Sequence, residues 1–362
     1  MKIAKVVVVL FIIISGVLIV RKFENRIIEN LVYNRSETTL PTTGPSTSPK
    51  ILNAEDSTSI FVPYWAFSTL KQTSYDRLLY FGITPGEEGI NTTELGYKNL
   101  KSFTNAHQNE KKYLVLRMTN SQQNFAIIEN RMRSQKIITE TVEVAKEYGF
   151  DGIVLNLEVS ALPFDSVIKN ITYFVTQFSS IARGDKLSFA MTMYGDTFYR
   201  LRPFDINTIA KNVDEVMVMA YDFSKANGNP GPNFPLGGKD KYGYDFQTMI
   251  EQFSKFVPVE KLTIIFGMYG YDWPVDENGK ATGSAKSLTN HQIKQKFIDN
   301  CLLKDCKLKR DKLSSETTVS YTNDEQKKHT VWFEDLESVK MKKAFLKTRG
   351  IGSVSYWAYS YF

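Results

Sequence analysis

Short apolar runs recur along the chain from about residue 57, and polar or periodic segments separate them. Most of the runs are rich in apolar, β-branched or aromatic residues, which is the composition of strands that are buried on both faces. We predict that each run is a strand. The eight predicted strands are Ile60–Phe67, Leu78–Thr84, Tyr113–Met118, Gly152–Glu158, Leu187–Met193, Glu215–Phe223, Leu262–Tyr269 and Gly352–Tyr359.

Segments with a helical pattern lie between many of these strands. Eight strands joined by helical crossovers predict an α/β fold of the (β/α)8 TIM-barrel type. A doubly wound open sheet is the alternative, but no Gly-rich phosphate loop follows the first predicted strand. The predicted helices are Glu94–Asn109, Gln123–Tyr148, Asp165–Ala182, Asp205–Asn212, Tyr244–Phe256 and Leu336–Lys347.

The alternation breaks once, between the seventh and eighth predicted strands. Residues 274–334 are long for a single crossover. We predict that they form a small α+β insertion beside the barrel mouth, with a helix at Asn290–Leu303 and strands at Thr317–Tyr321 and Thr330–Phe333. Few residues follow the eighth strand, so we expect no outer helix after it.

The N-terminus has the pattern of a signal peptide or a short signal anchor. Lys2 and Lys5 precede the apolar run Val6–Val20, and Arg21 and Lys22 follow it. No small-x-small cleavage site ends the run, which favours an uncleaved anchor. The basic N-terminus then stays in the cytoplasm, and the remainder of the chain is extracytoplasmic, or secreted if the segment is cleaved.

A polar tract separates this segment from the first strand. Residues 36–50 are rich in Ser, Thr and Pro, so they cannot bury a core and are expected to form an extended stalk. The predicted organisation is therefore an anchor at 1–22, a stalk at 23–56 and a barrel at 57–362.

The positive charge is concentrated near the N-terminus. Residues 1–50 contain seven Lys or Arg and three Asp or Glu, so they supply four of the six net positive charges. The remaining 312 residues are close to neutral, and no nucleic-acid surface is implied. We expect a monomer.

The cysteines and histidines of the sequence have no metal-ligand pattern. Cys301 and Cys306 are the only two cysteines, and they either close a small surface loop as a disulfide or remain free thiols. The three histidines, His107, His291 and His329, are scattered along the sequence. This spacing argues against a zinc site.

The fourth predicted strand ends in candidate catalytic chemistry. Val154, Asn156 and Glu158 alternate along it, so their side chains point to one face. An amide and a carboxylic acid on one face could hold an amide-bearing substrate and protonate its leaving group. The competing interpretation is a buried strand whose last residue meets solvent or a salt-bridge partner.

Two further strand ends carry side chains that suit a sugar. Met219, Tyr221 and Asp222 end the sixth strand, and Trp357 ends the eighth. The carboxyl ends of barrel strands meet at one mouth, so these residues are expected to converge with Glu158. A Trp face stacks on a sugar ring, while Tyr and Asp supply hydrogen bonds.

These motifs, in this order, resemble glycoside hydrolase family 18, the chitinase-like barrels. The resemblance covers about residues 59–360 and is nearest to the bacterial spore-cortex and peptidoglycan branch. It is carried by Asp151-Gly-Ile-Val-Leu-Asn-Leu-Glu158, Met219-Ala-Tyr-Asp222, Tyr269-Gly-Tyr-Asp-Trp-Pro274, Val331-Trp-Phe-Glu-Asp335 and Ser355-Tyr-Trp357.

The resemblance implies hydrolysis of β-1,4-linked N-acetylglucosamine (GlcNAc) polymers, of peptidoglycan or chitin type, without a cofactor. The acetamido oxygen of the substrate attacks its own anomeric carbon, and one protein acid serves as acid and then as base. Glu158 matches that acid, and Tyr221 matches the acetamido-binding tyrosine. Trp357 matches the floor of the site, and Asp222 binds the sugar or orients its neighbours.

The sequence departs from the family pattern Asp-x-x-Asp-x-Asp-x-Glu at two positions. Val154 and Asn156 replace the middle carboxylates. Asn156 can still hydrogen-bond an acetamido group, and related endo-β-N-acetylglucosaminidases use an Asn-x-Glu pair. The alternative is a catalytically impaired, lectin-like surface protein that keeps the groove, or a structural protein without sugar affinity.

Two aromatic residues complete the predicted substrate-binding set. Tyr64 ends the first strand and Tyr194 follows the fifth. For Tyr64, a core position is as compatible with the pattern as a sugar subsite.

Overall fold

A computed structural model describes residues 57–70 and 74–361. The predicted anchor at 1–22 and the stalk at 23–56 lie outside these residues. Within the described part of the chain, no helix is long and apolar enough to cross a membrane.

Eight parallel strands close into a barrel, so the predicted (β/α)8 fold is confirmed and the open sheet is excluded. Each predicted strand contributes one member. The strands are β1 (Thr58–Pro63), β2 (Arg77–Ile83), β3 (Lys111–Met118), β4 (Gly152–Leu157), β5 (Ser188–Tyr194), β6 (Glu215–Ala220), β7 (Leu262–Gly267) and β13 (Ser353–Trp357). Around the barrel their order is β1, β13, β7, β6, β5, β4, β3, β2.

The strand alternation separates two apolar layers. Ile153 and Leu155 of β4 point outward into the large core between strands and helices. Val154 points into the barrel, where it belongs to a second cluster with Val115 and Ala190. Because successive side chains alternate in this way, the next inward positions on β4 bring Asn156 and then Glu158 to the barrel mouth.

Two predicted helices are each divided in the structure. The predicted helix Gln123–Tyr148 is interrupted at Asn130, whose side-chain oxygen accepts from the N–H of Arg133 at 3.1 Å and begins a new helix. Glu94–Asn109 is likewise divided at Asn99. The helices are Leu95–Lys98, Leu100–Ala106, Ser121–Glu129, Arg131–Glu147, Asp165–Gly184, Ile206–Asn212, Lys239–Tyr242, Phe246–Phe253, Asn290–Ile293 (continued by a π turn at Lys294–Ile298) and Leu336–Thr348, with 3₁₀ turns at Phe67–Thr69 and Val259–Lys261.

The insertion is an antiparallel sheet of five strands packed on a short helix. It begins at Tyr269, five residues before the predicted boundary, because the chain turns directly from β7 into the second sheet. Cys301 and Cys306 are joined by a disulfide within it. The sheet order is β10, β11, β12, β8, β9, formed by β8 (Tyr269–Val275), β9 (Lys286–Thr289), β10 (Lys304–Arg310), β11 (Thr317–Thr322) and β12 (Lys328–Phe333).

A buried charge cluster fastens the insertion to the barrel. Lys342, on the helix Leu336–Thr348, donates to Glu316 at 2.9 Å and also to Glu334, and all three side chains are fully buried. Glu316 also accepts the backbone N–H groups of Asn233 (2.6 Å) and Phe234 (2.8 Å). The cluster thereby ties the insertion to the loop that follows β6.

Lys342→Ala should therefore lower the free energy of unfolding by about 3–5 kcal/mol, because it leaves two buried carboxylates without their cation. Urea denaturation of the full-length protein measures the change. Lys340→Ala, on the exposed side of the same helix, is the matched control and should stay within about 0.5 kcal/mol of the parent. A loss for Lys342→Ala no larger than the control's would show that the cluster does not hold the insertion.

Candidate active site

Asn156 and Glu158 form a hydrogen-bonded pair at the carboxyl end of β4. The amide nitrogen Nδ2 of Asn156 donates to Oε1 of Glu158 at 3.1 Å. Asn156 is buried, while Glu158 retains partial access to solvent at the barrel mouth. The predicted pair is therefore present, and its carboxyl can be reached by a ligand.

Neighbouring strands and helices fix the orientation of this pair. Thr192, on β5, donates its hydroxyl to Oδ1 of Asn156 at 2.8 Å, which leaves the amide nitrogen directed at Glu158. Asn124 donates to the backbone carbonyls of Glu158 and Met118, each at 2.7 Å. Both side chains were missed in the sequence, although Thr192 follows the same inward alternation on β5 that identified Asn156 on β4.

Val154 occupies a fully buried position one step below Asn156. It pairs in register with Val115 on one side and Ala190 on the other. A carboxylate at this level would be surrounded by apolar side chains and would have to be neutral or pay a large desolvation cost. The apolar side chain of Val154 therefore suits the apolar residues that flank it.

The environment of Glu158 favours its protonated form. Burial raises the pKa of the Glu158 carboxyl above its usual value, and the negative charge of Asp222 raises that pKa further. The hydrogen bond from Asn156 and the positive charges of Arg202 and Lys225 oppose this, but the pKa remains raised. A carboxylic acid that keeps its proton at higher pH suits a general acid.

Tyr221 and Asp222 follow β6 directly and face Glu158. Burial raises the pKa of Tyr221 well above its ordinary value, so its hydroxyl stays a hydrogen-bond donor. A Cβ on Gly267 would lie 2.6 Å from Cβ of Tyr221, so the glycine on β7 makes room for this ring. Tyr221 therefore packs closely against β7 where it lines the cleft.

Asp222 is positioned by groups from β8 and from the loop that follows β6. Its Oδ1 accepts hydroxyl hydrogens from Tyr269 and from Tyr271, the latter at 2.8 Å. Its backbone N–H donates to Oδ1 of Asn233 at 2.8 Å, and its φ of +58° lies in the left-handed region that Asp tolerates. Asn233 in turn is held by Glu316 of the buried charge cluster.

Seven of the eight predicted site residues line one cleft of about 460 Å³. Trp357 packs its ring against Phe81, with ring centroids 4.7 Å apart. Tyr64 does not line the cleft; its ring lies under the guanidinium of Arg117, 4.9 Å from the ring centroid. The seven cleft-lining residues are Asn156, Glu158, Tyr194, Met219, Tyr221, Asp222 and Trp357.

A larger groove of about 970 Å³ adjoins this cleft between the loop that contains Glu87 and Glu88 and the helix Arg131–Glu147. The two depressions share Arg117 and Thr119 in their linings. We assign the candidate active site to the smaller cleft because the paired amide and carboxyl lie there.

Ion pairs from outside the predicted set shape the cleft wall. Arg202 makes two hydrogen bonds to Asp196, at 3.0 and 3.1 Å, and its guanidinium lies 3.9 Å from the centroid of the Tyr194 ring. Arg117 pairs with Glu94 at 2.7 Å. The described residues include no group of three or more His, Cys, Asp or Glu that could hold a metal ion.

The charge of Asp222 should be visible in the pH dependence of turnover. In an enzyme that uses Glu158 as its acid, this residue must carry a proton, so kcat/KM falls as the pH rises through its pKa. Asp222→Asn removes a charge that raises this pKa, and asparagine tolerates the same backbone conformation. The alkaline limb of kcat/KM should therefore move to lower pH, as measured on a GlcNAc oligosaccharide. An unchanged limb would show that Asp222 does not act on Glu158.

The barrel and cleft define a class of protein, the TIM barrels with a candidate acid at the end of β4. A family model described as "Glycosyl hydrolases family 18" matches residues 33–361. The chain therefore belongs to glycosyl hydrolase family 18, as its motifs predict.

Curated relatives and a solved structure agree with this assignment. The chain is 24% identical over 236 residues to a cortical fragment-lytic enzyme of Bacillus anthracis, covering 64% of this chain and 51% of the relative. It is 23% identical over 272 residues to the Bacillus subtilis (strain 168) enzyme of the same name, covering 72% and 59%. The chain thus spans between half and three fifths of these relatives.

The solved structure is a family 18 N-acetylglucosaminidase from Paenibacillus barengoltzii. It matches with a TM-score of 0.72 at 16% identity, covering 85% of this chain and 96% of that one. At this identity the likeness shows the shared fold.

Proposed function

We propose that this protein hydrolyses β-1,4-linked GlcNAc-containing glycans by a substrate-assisted, retaining mechanism. The observation that carries the proposal is the Asn156–Glu158 pair, with Thr192 fixing the amide and burial in the cleft raising the pKa of Glu158. Family membership and the chitinases among its relatives support the substrate class.

In the proposed reaction, the acetamido oxygen of the bound sugar attacks the anomeric carbon as the glycosidic bond breaks. Glu158 gives its proton to the departing oxygen. Asn156 and Tyr221 hold the acetamido group against the anomeric carbon, and Trp357 supports the ring. The ionised Glu158 then takes a proton from the water that opens the cyclic intermediate, which restores the acid and gives the retained configuration.

A second candidate function is sugar binding without turnover. It is favoured by Val154 and Asn156, which leave the intermediate's positive charge without the two carboxylates of the family pattern. The hydrogen bonds around Asn156 argue for the first proposal, since a binding protein has no need of a carboxyl with a raised pKa beside an oriented amide.

The two candidates are separated by incubating the full-length protein with a fluorogenic N-acetylchitooligosaccharide. Release of the fluorophore supports the hydrolase. Saturable binding of the oligosaccharide, seen as a shift of tryptophan fluorescence without release, supports the lectin. If the protein neither releases the fluorophore nor binds the oligosaccharide, both candidate functions are contradicted.

We also propose that the N-terminal segment anchors the protein in the membrane, with the barrel outside the cytoplasm. The apolar run Val6–Val20 between basic residues supports this placement. Fractionation of cells that express the full-length protein, followed by protease treatment of intact cells, tests it.

A further inference from the structure

The loop after β6 is fixed at both its base and its tip. Its base closes where the N–H of Phe223 donates to the carbonyl of Asn233 at 2.8 Å. Near its tip, the carbonyl of Ala226 accepts from the N–H of Ala285 at 2.8 Å, and Oδ1 of Asn227 accepts from the hydroxyl of Ser284 at 2.9 Å. The insertion therefore holds this loop beside the cleft.

Lys225 projects from this fixed loop into the lining of the cleft, which it shares with Glu158 and Asp222. Its carbonyl accepts from the N–H of Gly228 at 2.8 Å, so a local turn sets the backbone of the lysine. The side chain is exposed to solvent at the rim. A ligand in the cleft can therefore reach the ammonium.

Lys225 differs from the other cations of the cleft in having no partner. Arg117 is paired with Glu94, and Arg202 is paired with Asp196. Among the described residues, the Lys225 ammonium makes neither an ion pair nor a hydrogen bond. The nearby carboxylate of Asp222 is held instead by the hydroxyls of Tyr269 and Tyr271, so the Lys225 ammonium stays open to a ligand.

From this geometry we infer that Lys225 is a subsite for a carboxylate on the substrate, so that the preferred substrate is an anionic amino-sugar polymer rather than neutral chitin. A carboxylate fits because it pairs with a point charge and needs no second donor. The inference rests on the proposed function, since it names the glycan that the same cleft would cleave.

Two parts of such a substrate could present this carboxylate to Lys225. One is an acidic substituent on the sugar itself, as in N-acetylmuramic acid. The other is a peptide attached to that substituent, which converts the sugar carboxyl to an amide and brings carboxylates of its own. The experiment compares three tetrasaccharides: neutral GlcNAc, alternating GlcNAc and N-acetylmuramic acid, and the alternating form with its carboxyls linked to peptides.

The expected result is a higher kcat/KM for an anionic tetrasaccharide than for the neutral one, with a ratio that Lys225→Gln lowers about fivefold. Lys225→Glu should lower the ratio further, and added salt should reduce the advantage of the parent. Preference for the alternating form without peptide places the carboxylate on the sugar, and preference for the peptide-linked form places it on the peptide.

Lys211→Gln is the matched control, because this exposed lysine lies near the opposite end of the barrel, just before β6, and should leave the ratio unchanged. The inference is overturned if Lys225→Gln leaves the ratio at the parent value, or if it lowers kcat/KM by the same factor for all three substrates. The same comparison among the three tetrasaccharides is made with dissociation constants, measured in proteins that carry Glu158→Gln. If the parent protein cleaves nothing, the proposed function fails, while this binding ratio still decides the role of Lys225.

Discussion

Glu158→Gln is expected to reduce kcat on a GlcNAc oligosaccharide by about 10³-fold or more, which is within the range for removing a general acid. Glutamine keeps the size of the side chain, and its oxygen can still accept from the amide of Asn156. What it lacks is the proton for the departing oxygen and the base for the attacking water. Substrate binding should survive the change, so the loss should fall on kcat rather than KM.

The measurement is steady-state turnover of the full-length parent and variant, with thermal unfolding recorded to confirm that both are folded. Glu88→Gln, in the exposed loop beside the neighbouring groove, provides the matched control and should retain parental turnover. Turnover of Glu158→Gln within tenfold of the parent would remove Glu158 from the role of acid.

Asn156→Ala should cost about 10²–10³-fold in kcat, the range found when a preorganised donor is removed from a reacting centre. The change deletes the amide that holds the acetamido group and leaves the hydroxyl of Thr192 without its acceptor. Glu158 also loses a hydrogen bond that lowers its pKa, so the alkaline limb of kcat/KM should move to higher pH. Both effects are read from a pH profile of kcat and kcat/KM.

Thr192→Val is a milder change to the same hydrogen bond, because it removes only the group that orients Asn156. Its kcat should fall about tenfold, which is less than for Asn156→Ala, since the amide remains. If Asn156→Ala keeps parental kcat, the amide does not take part in the reaction.

Asn156→Asp separates the two candidate functions. In a lectin that has lost turnover through this position, the new carboxylate should create hydrolysis, whereas in an active Asn-dependent enzyme turnover exists beforehand. Val154→Asp is a poor companion for this test because Val115 and Ala190 flank it within the apolar barrel interior. A buried carboxylate there would destabilise the barrel before it could assist the chemistry.

The parts of the site that lie along single strands were predictable from the sequence. The alternation of Val154, Asn156 and Glu158 placed the amide and the carboxyl on one face, and in the structure a hydrogen bond joins them. The same reasoning could have found Thr192, which takes the inward position on the adjacent strand. Period-two patterning is a local property, so a short window of sequence reveals it.

The parts that depend on long-range packing were not predictable. The support of Asp222 runs through Asn233 to Glu316, which lies 83 residues further along the chain. A glutamate in a strand-rich segment normally indicates a solvent-exposed position, and only the buried Lys342 reverses that expectation. The unpaired state of Lys225 likewise emerges only when the partners of the other cleft cations are known.

The most direct test of the account is the anomeric configuration of the first product formed by the full-length protein, read by ¹H NMR before mutarotation. The account predicts that the new reducing end is β, because the acetamido group and water attack in turn with net retention. Formation of that product should depend on Glu158. An initial α product would contradict substrate assistance, since it requires water to displace the leaving group directly.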